Sequence, residues 1–418
     1  MLLDRLPEEL IEAIVSDLNR ADFCHFRLVS RAVNYASLHN FAERFFRRQT
    51  VSWQASSFSK ILDITHSQVF GHWLRDLVID ATPKYAKRLW EINTWLFDNQ
   101  EPSDRRDLYL IEQKQIMKTD EENAKFWSET RNDQKSLVTV FRKARHLRSI
   151  TFAYDSMHKN YGTFGRRYCE SSQNEMSRPF VSTMEAIVTS GLTIEEITIH
   201  DTRKHGAVSL GRLESLARHL SKFDGAFEQL RTLNLNLRDW RHPDEGFEMP
   251  SKHLSFAVRF LAKCRNVQDL TLSCFSNLEA DTFTQMAENC EFPHLKICNL
   301  ELFHVNEATL FDFLALSKST LRSLSLRHII LRDRTSDWAR VMRRLADELE
   351  LESISLEKLF AFSYARIGFG NTINSLLNLD GPQLTENLNH HAAQIIVGNW
   401  GPAWHLALVA YPFEGLHA

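Results

Sequence analysis

Long apolar runs are missing from this chain: no stretch approaches the roughly 18 residues that a membrane-spanning helix needs. The N-terminal residues Met1-Leu2-Leu3-Asp4-Arg5 lead straight into an acidic amphipathic segment, without the basic start, apolar run and small-residue cleavage site of a signal peptide. Cysteine is sparse. Cys24, Cys169, Cys264, Cys274, Cys290 and Cys298 form neither a CxxC pair nor the dense spacing of a disulfide scaffold. Together these absences predict an intracellular, reducing location, cytoplasm or nucleus. Charge of one sign is missing too. The 50 Lys and Arg against 53 Asp and Glu leave a formal charge of -3, which argues against broad electrostatic binding to nucleic acid or anionic lipid.

Motifs that carry chemistry are equally scarce. There is no GxxxxGKS/T phosphate loop, no GxSxG elbow, no HExxH and no GxGxxG in a strand-to-helix setting. Gly368-Phe369-Gly370-Asn371 is too short a match to count. Adjacent side chains diverge on a helix or strand, so His390-His391 reads as a surface or packed pair; no cysteine or carboxylate stands at ligand spacing beside it. Cys264, Cys274, Cys290 and Cys298 lie in or beside apolar segments, where free cysteine acts as a small hydrophobe. Arg44-Phe45-Phe46-Arg47-Arg48 reads as a helix end running into a strand. No catalytic residue, metal or cofactor is expected.

What is present is a chain of 418 residues, 43 % hydrophobic and 25 % charged, enough to bury a large core. Leu6, Leu10, Ile14 and Leu18 recur every fourth position, and Ile11 and Val15 widen the stripe, which predicts a first short helix. Pro7 suits its first turn, and Glu8 and Glu9 suit the positive end of its dipole. Asp22 is placed to cap a second helix carrying Phe23, Phe26 and Leu28, and Ser30 a third carrying Val33, Tyr35, Ala36 and Leu38. Three helices in about forty residues bury little, and the stripe is wider than one internal core needs. Part of it is expected to meet another surface.

Leu6-Pro7-Glu8-Glu9-Leu10, then Ile14, Leu18, Asp22 and Arg27-Leu28-Val29-Ser30-Arg31, resemble the F-box family in order and spacing. The resemblance implies a trihelical motif that docks on a Skp-family adaptor and joins a cullin-based ubiquitin ligase. By position, Leu6, Pro7, Leu10, Ile14, Leu18, Leu28 and Val29 would carry the docking and the core beneath it. The family's frequent tryptophan near the end of the motif is absent, and Phe41, Phe45 and Phe46 occupy that region.

Behind this module one pattern returns irregularly: a leucine-like residue, two mostly polar residues, then alternating apolar residues. It starts at Leu74, Leu147, Ile194, Leu230, Val267, Leu295, Leu321 and Leu351. Alternation signals a strand with one buried face. Helix-period stretches such as Leu213 to Leu220, Phe256 to Leu261 and Val341 to Ala346 lie between, and an earlier unit fits Phe45 to Leu62. From Leu230 onward the starts are about 26 to 37 residues apart, near or above the upper end of leucine-rich repeats, roughly 20 to 29. The rhythm resembles the ribonuclease-inhibitor-like arrays that often follow an F-box, especially in fungal proteins. The expected fold is α/β: an F-box over residues 1–48, an irregular leucine-rich-repeat-like solenoid with a curved parallel sheet over 49–375, and a C-terminal cap over 376–418.

Insertions are expected at about 100–135, where charges of both signs alternate, and at about 155–179. Exposed aromatic and arginine residues in loops after strands are the natural anchors for a bound protein. On that ground Arg166, Arg167, Tyr168, Arg203, Trp240 and Arg241 are the candidate substrate contacts. The expected function is that of a substrate-recognition adaptor of a ubiquitin ligase. Two alternatives are a scaffold role without ubiquitin transfer and a ligand-binding or enzymatic site hidden in the repeats.

Overall fold

The computed structural model describes residues 6–154, 170–200, 208–238, 255–275, 282–362, 365–369 and 376–398. The chain opens with α1 (Glu8–Ser16), α2 (Arg20–Arg27), α3 (Arg31–Ala36) and α4 (Leu38–Phe46). Asn19, in place of the expected Asp22, caps α2: its side-chain oxygen accepts the Asp22 N–H at 3.0 Å, and its amide donates to Asp22 Oδ2. Ser30 caps α3 as expected, accepting the Val33 N–H at 3.2 Å. The chain then turns at buried Ser37, whose hydroxyl donates to the Val33 carbonyl at 2.7 Å. Four helices result, one more than the sequence suggests, because the phenylalanines of residues 41–46 have a helix of their own. The small core gathers Ile11, Val15, Phe23 and Phe41, with Leu6 and Leu18 partly buried against it.

The rest is a mixed α/β body. Among the described residues eleven strands make one sheet. In chain order its parallel members are β1 (Arg48–Ser52), β2 (Asp76–Asp80), β3 (Ser149–Ala153), β4 (Glu196–His200), the short β5 (Val208–Ser209) beside β6 (Thr232–Arg238), β7 (Asp269–Phe275) and β8 (Ile297–Glu301). After the short β9 (His304–Val305) the sheet continues with β10 (Ser323–Arg327) and, past β11 (Ile330–Leu331), with β12 (Ser353–Glu357). After β13 (Arg366–Phe369), β14 (Leu376–Asp380) adds antiparallel to β12 and ends the sheet. β15 (Ile395–Gly398) pairs with β13 outside it.

The repeated motif explains this order. Its leading residue is buried immediately before the strand at Leu74, Leu147, Ile194, Leu230, Val267, Leu295 and Leu321. The next apolar position is in register from strand to strand, running Leu77, Ile150, Ile197, Leu233, Leu270, Cys298, Leu324 and Ile354. Each of these is buried, and burying one such side chain contributes about 1.5–3 kcal/mol. The intervening helices cover that face; α5 (Ala55–His66), for example, buries Phe58 and Ile61.

Between β2 and β3 lie α6 (Ala86–Asp98), α7 (Asp104–Thr130) and α8 (Asn132–Lys143). The first two have a separate core of Leu89, Ile92, Leu96 and Ile116, and Arg88 reaches Glu112 with two hydrogen bonds of 2.7 Å. The sequence placed an insertion at about 100–135; α6 precedes that span, and α8 packs into the main core through Leu137, Val140 and Phe141. Of the second expected insertion, residues 155–169 lie outside the described residues, and Glu170 begins α9 (Glu170–Ser190).

A feature without sequence signal follows β8, β10 and β12. Leu302, His328 and Lys358 stand directly after these strands with φ of 63°, 52° and 51°, a conformation costing a non-glycine residue roughly 1–2 kcal/mol. Each turns the chain into a narrow second layer, where β9 pairs with β11, and Phe360 bridges Ile330 to Arg366. The turns are held from the neighbouring strand: Leu302 N–H donates to the Arg327 carbonyl at 3.0 Å, and His328 N–H to that of Glu357 at 2.9 Å.

The helical module joins the sheet without a linker. Phe46 of α4 stacks on Phe70 at 4.0 Å with rings 8° from parallel, and His39 meets Trp73 edge-on at 4.9 Å. Arg47 lies 3.5 Å from Asp76. Gly71 sits between the two aromatics, and a Cβ there would fall 2.6 Å from the Thr65 carbonyl oxygen. Gly71→Ala is therefore expected to cost about 1–3 kcal/mol by overpacking. A urea midpoint unchanged from the parent would show that the turn absorbs the methyl group.

Candidate adaptor-docking site

Of the seven residues that the sequence assigns to docking and its supporting core, the structure sends two inward and five outward. Leu6 and Leu18, at the flanks of α1, pack on the core. Pro7 stands exposed at the N-cap of α1. Leu10 and Ile14, one turn apart on the outer face of α1, are 51 % and 40 % exposed; Leu28 and Val29, in the turn after α2, are 82 % and 58 % exposed. Ile11 and Val15, about 100° further round the helix, are the buried pair, and Leu10 and Ile14 are left partly exposed among the described residues.

Sequence reasoning missed Tyr35 as a surface residue. The spacing groups it with the apolar stripe of the third helix, yet it is 82 % exposed while Val33 is fully buried. The helical wheel carried the signal, since two residues are about 200° apart on a helix of 3.6 residues per turn. All three of the first helices or their caps thus hold large apolar side chains in water.

The scaffold behind these side chains is braced by charge. Arg44 of α4 donates to the last carbonyls of α1, Val15 at 3.1 Å and Ser16 at 2.9 Å, a cation at the negative end of the helix. Arg27 lies 3.9 Å over the Phe41 ring, and its Nε donates to Asn34 Oδ1 at 2.9 Å, tying α2 to α3.

The substrate-contact candidates Arg166, Arg167, Tyr168, Arg203, Trp240 and Arg241 all lie outside the described residues. The described part of the sheet presents a different surface. Its first strand position, on the face opposite the buried residues, reads Asp76, Ser149, Glu196, Thr232 and Asp269 from β2 to β7. Burial, then the neighbouring Asp76 and Asp269, push the Glu196 carboxyl above its usual range against hydrogen bonding from Ser149 and the charge of Arg48. Burial likewise raises Asp269. Among the described residues neither makes an ion pair.

A carboxyl whose folded value is raised holds its proton more readily when folded, so its penalty is full above that value and fades as pH falls through it. Glu196→Gln is accordingly expected to raise the melting temperature at pH 7 by about 1 °C. The gain should shrink as pH drops through the carboxylate range. A variant that melts lower than the parent at pH 7 would contradict the electrostatic assignment.

Among the described residues no three of His, Cys, Asp and Glu gather as a metal site. His390 and His391 sit on the helix Leu384–Ala393, with His390 Nε2 3.0 Å from Gln394 Nε2. Burial pushes the Cys290 and Cys298 thiols up to about 12 and Cys264 well above its ordinary value, so all three remain protonated packing groups. No helix among the described residues is long and apolar enough to cross a membrane.

Comparison with curated proteins returns no match. A chain of the solved structure titled "Crystal structure of Rad7 and Elc1 complex in yeast" is similar over 82 % of this chain and 84 % of its own length, with 10 % identity and a TM-score of 0.28. A likeness at that TM-score supports no inference about fold or function. Residues 3–39 match the family model described as F-box domain, the span that holds α1, α2 and α3. The chain carries an F-box domain at its N-terminus.

Proposed function

We propose that this protein is the substrate-recognition subunit of a Skp/cullin/F-box ubiquitin ligase. Pro7, Leu10, Ile14, Leu28 and Val29 would meet a Skp-family adaptor, over a core that includes Leu6 and Leu18. The observation that carries the reading is the coincidence of the F-box match with exposed apolar side chains contributed by all three of its helices or their caps. Tyr35 joins the docking set.

The body behind it would be a leucine-rich-repeat-like solenoid that holds a target protein. Parallel strands laid down in chain order, each with the same buried positions in register, support that reading. Arg166, Arg167, Tyr168, Arg203, Trp240 and Arg241 remain the loop candidates for target contact. The chain would do no bond chemistry itself. It would raise the local concentration of a target near a ubiquitin-carrying enzyme, in the cytoplasm or nucleus.

Co-purification from cells with the full chain as bait tests this directly. Recovery of both adaptor and cullin supports the ligase assignment. Adaptor without cullin would indicate a scaffold role instead, and recovery of neither would overturn the docking assignment.

A further inference from the structure

The outward row of the sheet has a regular spacing. Asp76, Glu196 and Asp269 occupy the same register on β2, β4 and β7. β3 and β6 stand between them with Ser149 and Thr232 at that position, so a carboxylate recurs on every second strand. With neighbouring strands about 4.8 Å apart, the carboxylates recur at about 10 Å. The next outward position is also small and polar on β3, β4 and β7, where it is Thr151, Thr198 and Thr271. Such side chains leave room for a chain to lie across the strands.

The two halves of this face differ in how their charges are balanced. Further along, Glu301 and Glu357 flank Arg327, which lies 3.5 Å from one and 2.9 Å from the other. Asp76 has Arg47. Glu196 and Asp269 are half-buried and, among the described residues, form no ion pair; Arg48, which continues the row on β1 beside Asp76, acts on Glu196 only through its charge, the weakest of the influences on that carboxyl. An unpaired, partly desolvated carboxylate is a cost that a bound cation would offset.

We propose that this stretch of the sheet, from β2 to β7, is where the target protein lies, and that the docked segment is extended and bears lysine or arginine side chains about 10 Å apart. The inference rests on the adaptor reading above for calling the occupant a target. Its chemistry comes from the face itself. A polyproline-II chain returns a side chain to the same side every third residue, about 9.3 Å along its axis, which matches two strand spacings. An anionic segment would meet carboxylates of its own sign.

The test uses the full chain and two fluorescent peptides with proline at the other positions, one with lysine at every third residue and one with glutamate there. Anisotropy titration should show binding of the lysine peptide that weakens with salt, and none of the glutamate peptide. Glu196→Gln with Asp269→Asn should weaken the lysine peptide at least tenfold with no loss of melting temperature. Equal binding by parent and double variant, equal binding of the two peptides, or no binding of the lysine peptide by the parent would overturn the proposal. Leu10→Asp with Ile14→Asp serves as the cross-check. It should leave peptide binding intact, so failure of adaptor docking and failure of the sheet-face site are read separately.

Discussion

Replacing Leu10 and Ile14 by aspartate is expected to abolish capture of a Skp-family adaptor while the helical module stays folded. Both side chains are exposed, and the residues of α1 that hold the core are Ile11 and Val15. Burying one leucine or isoleucine at an interface is worth about 1.5–3 kcal/mol. Losing two forfeits about 3–6 kcal/mol, roughly two to four decades in Kd. Two carboxylates forced under the adaptor add a desolvation penalty to that loss. Calorimetric titration of the purified adaptor into parent and variant measures the affinity, and circular dichroism monitors the fold. A folded variant that binds as tightly as the parent would end the assignment of α1 as the docking helix.

Arg178→Met is expected to be the most damaging single change to the body, at about 3–5 kcal/mol, because it strips a buried carboxylate of its cation. Asp133, in the first turn of α8, is 1 % exposed; its Oδ2 accepts from Arg178 Nε and from Ser182 Oγ, both at 2.9 Å. Both donors lie on α9, so the pair locks α8 against α9 behind β3 and β4. Among the described residues the Ser182 hydroxyl would then be the one side-chain donor left to the Asp133 carboxylate. Chemical denaturation measures the loss, and adding Asp133→Asn should recover part of it by removing the charge. A loss below about 1 kcal/mol would show that water reaches the carboxylate.

A second carboxylate at this interface, Glu185 on α9, is held by several groups at once. Burial would raise Glu185, but hydrogen bonds from Gln134 and His219 and the charges of Arg131 and Arg218 outweigh it and hold the carboxyl below its usual range. Its contribution is therefore present at neutral pH and lost as pH falls through that lowered range. The α8–α9 interface thus combines a dry ion pair with a half-open cluster.

The sequence by itself determined the strand positions and the module that precedes them. Alternation with period two leaves a strand one buried face, so Leu77, Ile150 and Leu324 could be placed inward from spacing alone. The spacing put Leu10 and Ile14 on one apolar stripe with Ile11 and Val15, and packing decided which pair lines the core and which faces outward. Other features were decided by tertiary structure, because they depend on partners far apart in the chain. Asn19 and Asp22 both have capping chemistry, and packing chose between them. Leu302 and His328 take a glycine-like conformation without glycine, since the adjacent strand supplies the hydrogen bonds that hold them there. Phe46 finds Phe70 only when the module folds against the first strands. Asp76, Glu196 and Asp269 are 120 and 73 residues apart in the sequence. The parallel sheet compresses those separations to two strand widths each, and so makes three scattered acids one charged row.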